Sequence, residues 1–171
     1  ELAANVGLKP IKINSVIIRD FNDDEIIDFA ELSAKHNIIC RFIEFMPIGN
    51  SDNWNDKNII YGDEILKRLE KFQPEPMEKD INNGGIIGII TPLSKHFCSD
   101  CDKLRITSDG KIRPCLLSDN EINIKEALKK QDEDMLINLI MDSLNIKKDE
   151  HNVVNTEQKY DFKRTMSKIG G

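Results

Sequence analysis

Cys98, Cys101 and Cys115 stand in a Cys-x2-Cys-x13-Cys pattern, and thiolates at such spacing bind soft metal ions or iron-sulfur clusters. The first pair can clamp one ion within a single tight loop. Residues 103–108 and 111–117 read as two strands joined at Asp109-Gly110, a two-residue hairpin signal that sets Cys115 opposite Leu104 and close to Cys101. Three thiolates then converge. Structural zinc normally takes four protein ligands, whereas three leave a coordination position open, as a reactive metal or an incompletely ligated cluster requires. Two chemistries therefore stay open: a zinc site completed by His96 or Cys40, and a three-thiolate site whose free position accepts a substrate. The fourth cysteine, Cys40, sits alone in an apolar run and reads as inert core. An isolated His beside a strand end, such as His96, more commonly lies outside the ligand set.

The elements that must position these residues begin with a strand over 11–18, led in by Pro10, on which Lys12 and Asn14 share one face. Asn22 stands where an N-cap would, with Glu25 three residues on able to answer it, and the spacing of Ile26, Phe29, Ala30 and Ser33 predicts a helix to about His36. The near-continuous apolar run 38–46 predicts a strand covered on both faces, completing a βαβ unit. A polar stretch over 47–58 marks a boundary, and a helix over 62–72, an irregular segment over 73–85 and a strand over 86–91 follow. Helices are predicted over 123–130 and 132–144.

The net charge of −6 and the pI near 5.2 argue against a general affinity for nucleic acid, so any bound anion must meet a local basic cluster. The longest uncharged apolar stretches, such as 84–90, are too short to span a bilayer, and a cytoplasmic location is expected. The 171 residues suffice for one or two small domains. The first residue is Glu rather than Met, which leads to the expectation of a piece of a longer polypeptide.

The segment from His96 to Leu117, with its runs Cys98-Ser-Asp-Cys101-Asp-Lys-Leu-Arg105 and Ile112-Arg-Pro-Cys115, resembles the C-terminal cluster motif of the GTP 3′,8-cyclases, the radical S-adenosylmethionine enzymes that begin molybdenum-cofactor biosynthesis. Three further stretches agree in order and spacing: Ile11-Lys-Ile-Asn14, Arg41-Phe-Ile-Glu-Phe-Met-Pro47 and Met166-Ser-Lys-Ile-Gly-Gly171. The resemblance implies an α/β fold: the last strands and helices of an incomplete TIM-type barrel over 1–50, then an α+β iron-sulfur domain with a cysteine-bearing hairpin and a Gly-Gly tail over 51–171. It implies that Cys98, Cys101 and Cys115 ligate a 4Fe-4S cluster whose free iron receives the purine of GTP. Lys12, Lys103, Leu104, Arg105 and Arg41 would contact GTP, and Met46 would line the S-adenosylmethionine site. S-adenosylmethionine and a first 4Fe-4S cluster would be bound mainly by an N-terminal half.

The family's implied reaction converts GTP to 3′,8-cyclo-7,8-dihydro-GTP, which feeds a downstream cyclic pyranopterin monophosphate synthase. These residues contain no Cys-x3-Cys-x2-Cys motif for the first cluster, so on their own they are expected to be inactive. The family usually reads Cys-Asn-Arg-Leu-Arg where this chain has Asp102 and Lys103. Lysine keeps the charge but lacks the fork that Arg offers a phosphate, so Arg105 is the stronger assignment. In resembling enzymes Gly170 and Gly171 would reach into the catalytic site. The basic stretch before them has too little apolar periodicity for a firmly packed helix, and disorder is the expectation for that tail in isolation. The competing class is a zinc-stabilised module that binds a nucleotide or protein without catalysis.

Overall fold

The computed structural model describes residues 1–48, 54–72, 86–95, 98, 101–147 and 164–169. They form a mixed α/β arrangement with one parallel and one antiparallel sheet, each of three strands. Two compact units share the chain: Glu1–Met46 with Asn55–Lys95, and Pro47–Trp54 with His96–Gly171. Among the described residues no helix is long and apolar enough to cross a membrane.

The first unit opens with a short helix α1 (Leu2–Asn5), then β1 (Lys12–Ile17), α2 (Ile26–His36), β2 (Ile39–Glu44), α3 (Gly62–Arg68) and β3 (Ile87–Ile90). β2 is central and parallel to both neighbours, with Asn14, Arg41 and Gly88 in register across the sheet. Ile39, Cys40, Phe42 and Glu44 of central β2 are buried, while Arg41 and Ile43 are only partly so. Ile26 and Ala30 of α2 and Ile65 of α3 close over Ile17 and Phe42 to form the core. The Phe29 ring meets Phe42 edge-on, with centroids 6.2 Å apart.

The predicted capping box does not form. Residues Asp23–Glu25 tighten into a 3-10 turn ahead of α2, and the Asn22 amide turns back to the strand end instead. Its oxygen accepts the Ile18 N–H at 2.8 Å and its nitrogen donates to the Val16 carbonyl at 3.0 Å. The helix predicted over 62–72 is α3 followed by a separate 3-10 turn, Glu70–Phe72. The irregular segment expected over 73–85 lies outside the described residues.

Glu44, fully buried, ties this unit together. One carboxylate oxygen accepts the Gly62 N–H at 2.9 Å, at the start of α3; the other accepts the N–H groups of Leu93 at 2.9 Å and Ser94 at 3.0 Å. The Ser94 hydroxyl donates as well. Gly62 permits the approach, since a Cβ there would run into the Thr91 methyl.

The second unit contains β4 (Arg105–Ile106), β5 (Lys111–Arg113), β6 (Ile122–Asn123), α4 (Lys125–Lys130) and α5 (Glu133–Ile146). β5 is central and antiparallel to both neighbours. Ile106 pairs with Ile112, whereas a two-residue turn at Asp109-Gly110 would pair it with Arg113. The register differs because the loop has three residues, closed by Gly110 at φ 72° and by the Thr107 N–H donating to the Lys111 carbonyl at 2.9 Å. A ladder continued in this register would set Cys115 level with Lys103 rather than Leu104, but β5 ends at Arg113. Asp132 caps α5, its carboxylate accepting the Met135 N–H at 2.9 Å.

Replacing Glu44 by Ala strands two buried backbone donors, of Gly62 and Leu93, and the part-buried one of Ser94, and a buried donor costs free energy when unpaired. Chemical denaturation of the whole polypeptide should show Glu44→Ala destabilised by about 3 kcal/mol or more. A loss below about 1 kcal/mol would mean that other groups or water satisfy those donors.

Candidate metal centre

The Cys101 N–H donates to the Cys98 carbonyl at 3.2 Å. Cys115 follows β5 by two residues, and all three cysteines are partly buried and outside any disulfide. The Cys115 thiol is pushed above its ordinary value by burial and by the neighbouring Cys98 and Cys101 sulfurs, against the opposing effects of the Leu117 N–H and the Arg105 charge. The Cys98 and Cys101 sulfurs and the Arg105 charge thus lie within electrostatic reach of Cys115.

The backbone around the thiols is held by two further cations. Arg113 is 1% exposed. Its guanidinium donates to the carbonyls of Cys115 and Leu116, both at 3.2 Å, and to Asp119 at 3.2 Å and Glu121 at 3.4 Å. This shapes the loop so that the Leu117 N–H donates to the Cys115 sulfur at 3.3 Å. Lys147, just past α5, donates to the Cys101 carbonyl and sulfur. Neither residue was singled out from sequence. The acidic residues at 119 and 121 that follow Arg113 are the one local signal of a buried guanidinium; Lys147 has none.

Of the proposed substrate contacts in this unit, Arg105 is partly buried on β4, Leu104 precedes it, and Lys103 is exposed and paired with its neighbour Asp102. In the first unit, Lys12 and Asn14 lie on one face of β1 and the in-register Arg41 puts its side chain on the same face. Gly88 leaves room for that side chain, since a Cβ there would stand 3.1 Å from the Arg41 Cγ. Met46 is partly buried beyond the end of β2. Cys40 is 1% exposed within the sheet; burial pushes its thiol up, against a hydrogen bond with Ser33. His96, Gly170 and Gly171 lie outside the described residues. Among the described residues no three His, Cys, Asp or Glu side chains form a group that could hold a single metal ion.

The segment before the glycines, expected to be disordered, is anchored. Arg164 forks onto Asp109 at 3.0 and 2.8 Å and reaches Glu121 at 2.6 and 2.9 Å. Ile169, after a 3-10 turn over Met166–Lys168, is fully buried. Two ion pairs of Arg164 and one apolar side chain therefore hold a stretch whose pattern lacks helical periodicity.

Residues 38–153 match the family model described as Molybdenum Cofactor Synthesis C. The chain is 40% identical over 174 residues to a GTP 3′,8-cyclase of Alkaliphilus oremlandii, covering 97% of this chain and 54% of that protein. It is 41% identical over 182 residues to that of Moorella thermoacetica, covering 99% and 55%. A third, from Clostridium botulinum, is 36% identical over 179 residues, covering 100% and 55%. The chain belongs to the GTP 3′,8-cyclase family of molybdenum-cofactor synthesis proteins. It spans about half the length of the curated relatives it matches.

The anchor of the tail is sensitive to acid. Burial works to raise the Glu121 carboxyl, but Lys111 and Arg164 outweigh it and hold the group below its ordinary 4.5; Arg164 likewise holds Asp109 low. A depressed carboxyl means that the unfolded chain binds more protons, so this stabilisation is present above pH 4.5 and is lost as the pH falls through the lower folded value. Protection of the Ile169 amide from hydrogen exchange, taken relative to the intrinsic rate at each pH, should fall below that pH, and Glu121→Gln should flatten the dependence. An unchanged acid response in Glu121→Gln would assign it to other groups.

Proposed function

We propose that this chain is the C-terminal half of a GTP 3′,8-cyclase, whose whole polypeptide converts GTP to 3′,8-cyclo-7,8-dihydro-GTP with S-adenosylmethionine. Cys98, Cys101 and Cys115 ligate a 4Fe-4S cluster in this reading. The placement of the three cysteines in one compact unit, with the Cys101 N–H on the Cys98 carbonyl and Cys115 two residues past β5, is the observation that supports it. Such a cluster has four irons, and three thiolates leave one free to take a purine nitrogen of GTP. Arg105 is a cation at the same thiols and attracts the triphosphate, with Leu104 and Lys103 beside it. Lys103 contributes less, because Asp102 neutralises it.

Residues 1–50 supply the last strands and helices of an incomplete TIM-type barrel, and residues 51–171 carry the cluster and GTP functions, with 55–95 returning to the first compact unit. The parallel pairing of β1, β2 and β3 supports that barrel reading. Lys12 and Arg41, on one face of the sheet, contact GTP in this reading, and Met46 lines the S-adenosylmethionine site. S-adenosylmethionine and a first cluster belong mainly to the N-terminal half, so these residues alone form no 5′-deoxyadenosine. The cyclised product passes to a cyclic pyranopterin monophosphate synthase.

Anaerobic reconstitution with iron and sulfide tests the ligand set. The whole polypeptide should gain cluster absorption from this site, and Cys115→Ser should lose its iron and sulfide, since two thiolates offer too few ligands for a cubane. Stoichiometric zinc without sulfide would instead support a structural zinc module.

Ile169 and the glycines after it have separable roles. Ile169→Ala should lower stability by about 2 kcal/mol through the cavity it leaves. Gly170→Ala, or removal of Gly170 and Gly171, should leave stability and cluster content near wild type and reduce cyclisation on the order of 10²-fold, the scale of a small misplacement at a reacting centre. Unchanged turnover in the glycine variants would make the tail dispensable.

A further inference from the structure

α5 ends at Ile146, and the next residue leaves the helix at ψ 124°. Its ammonium donates to the Cys101 carbonyl at 2.5 Å, to the Lys103 carbonyl at 2.9 Å and to the Cys101 sulfur at 3.5 Å. A lysine ammonium has three donors and no acceptor, so these partners use its whole hydrogen-bonding capacity. The other nearby cations are engaged differently. Arg113 holds carbonyls and carboxylates, Lys103 faces Asp102, and Arg105 acts on Cys115.

We propose that Lys147 is a positioning residue for the cluster site, pinning the Cys101 loop and holding a positive charge against the Cys101 thiolate. The inference rests on the reading of Cys98, Cys101 and Cys115 as cluster ligands. Hydrogen bonds to ligating sulfurs and nearby charge are among the main influences on an iron-sulfur potential. One added electron makes the cluster and its thiolates more negative, and a neighbouring ammonium stabilises that reduced state more than the oxidised one. Lys147 thus raises the reduction potential of the cluster, and its two carbonyl contacts keep the charge in place.

The test uses the whole polypeptide, reconstituted anaerobically, with the signal of this cluster isolated as the difference from Cys115→Ser. Iron and sulfide per chain, thermal stability and the midpoint potential from an EPR-monitored redox titration are compared in wild type, Lys147→Gln and Lys147→Arg. Lys147→Gln should take up iron but shift the one-electron equilibrium roughly tenfold toward the oxidised form, a fall of about 59 mV. Lys147→Arg, which keeps the charge, should recover most of that shift. If Lys147→Gln loads poorly, a loaded Lys147→Arg with near wild-type potential still supports the proposal. An unchanged potential in loaded Lys147→Gln, a shift that Arg does not recover, or failure of both variants to load overturns it. A wild type that binds stoichiometric zinc without sulfide removes the cluster reading itself.

Discussion

A guanidinium can be buried only if its donors are met, because leaving one partner of a buried pair uncompensated costs about 3–5 kcal/mol. Arg113 meets that condition by drawing in its own surroundings: the carbonyls of Cys115 and Leu116 on one side, Asp119 and Glu121 on the other. The bend after β5 follows from this, and with it the direction in which the third cysteine presents its sulfur. Glu121 carries the constraint onward to Lys111 and Arg164. The cysteine loop and the last anchored residues of the chain therefore hang on one network.

The first unit solves a similar problem with the opposite sign. Glu44 is buried as an acceptor, and the backbone donors of Gly62, Leu93 and Ser94 converge on it. In both units a buried charge organises segments that have little regular structure of their own. The polar face of the parallel sheet, with Lys12, Asn14 and Arg41, lies on the side away from the packed core. This division of a strand into a packed face and a polar face follows from the two-residue period of side chains.

The features legible in the sequence were those with local signals. The βαβ unit came from hydrophobic periodicity, whereas the spacing of Cys98, Cys101 and Cys115 sets an expectation of convergence, and among the described residues the three form no single-ion site. A hairpin was legible at Asp109-Gly110, but its loop has three residues and the register shifts by one, because a short turn signal does not specify where pairing resumes. Asn22 follows the N-cap pattern yet bonds back to Val16 and Ile18, since the 3-10 turn after it changes where its side chain points. The partnerships of Lys147 with Cys101 and of Arg164 with Asp109 span 46 and 55 residues. No periodicity or motif encodes a pairing at such separations; it arises only when the second unit folds.

The central claim is that three thiolates hold a cluster with one iron left for the substrate. Nitrogen hyperfine spectroscopy on the reduced, reconstituted whole polypeptide, with isotopically labelled GTP, tests it most directly. A coupling from a purine nitrogen that appears with GTP and is absent in Cys115→Ser is the predicted result. A fully reconstituted cluster whose spectrum does not change on GTP binding would contradict the account.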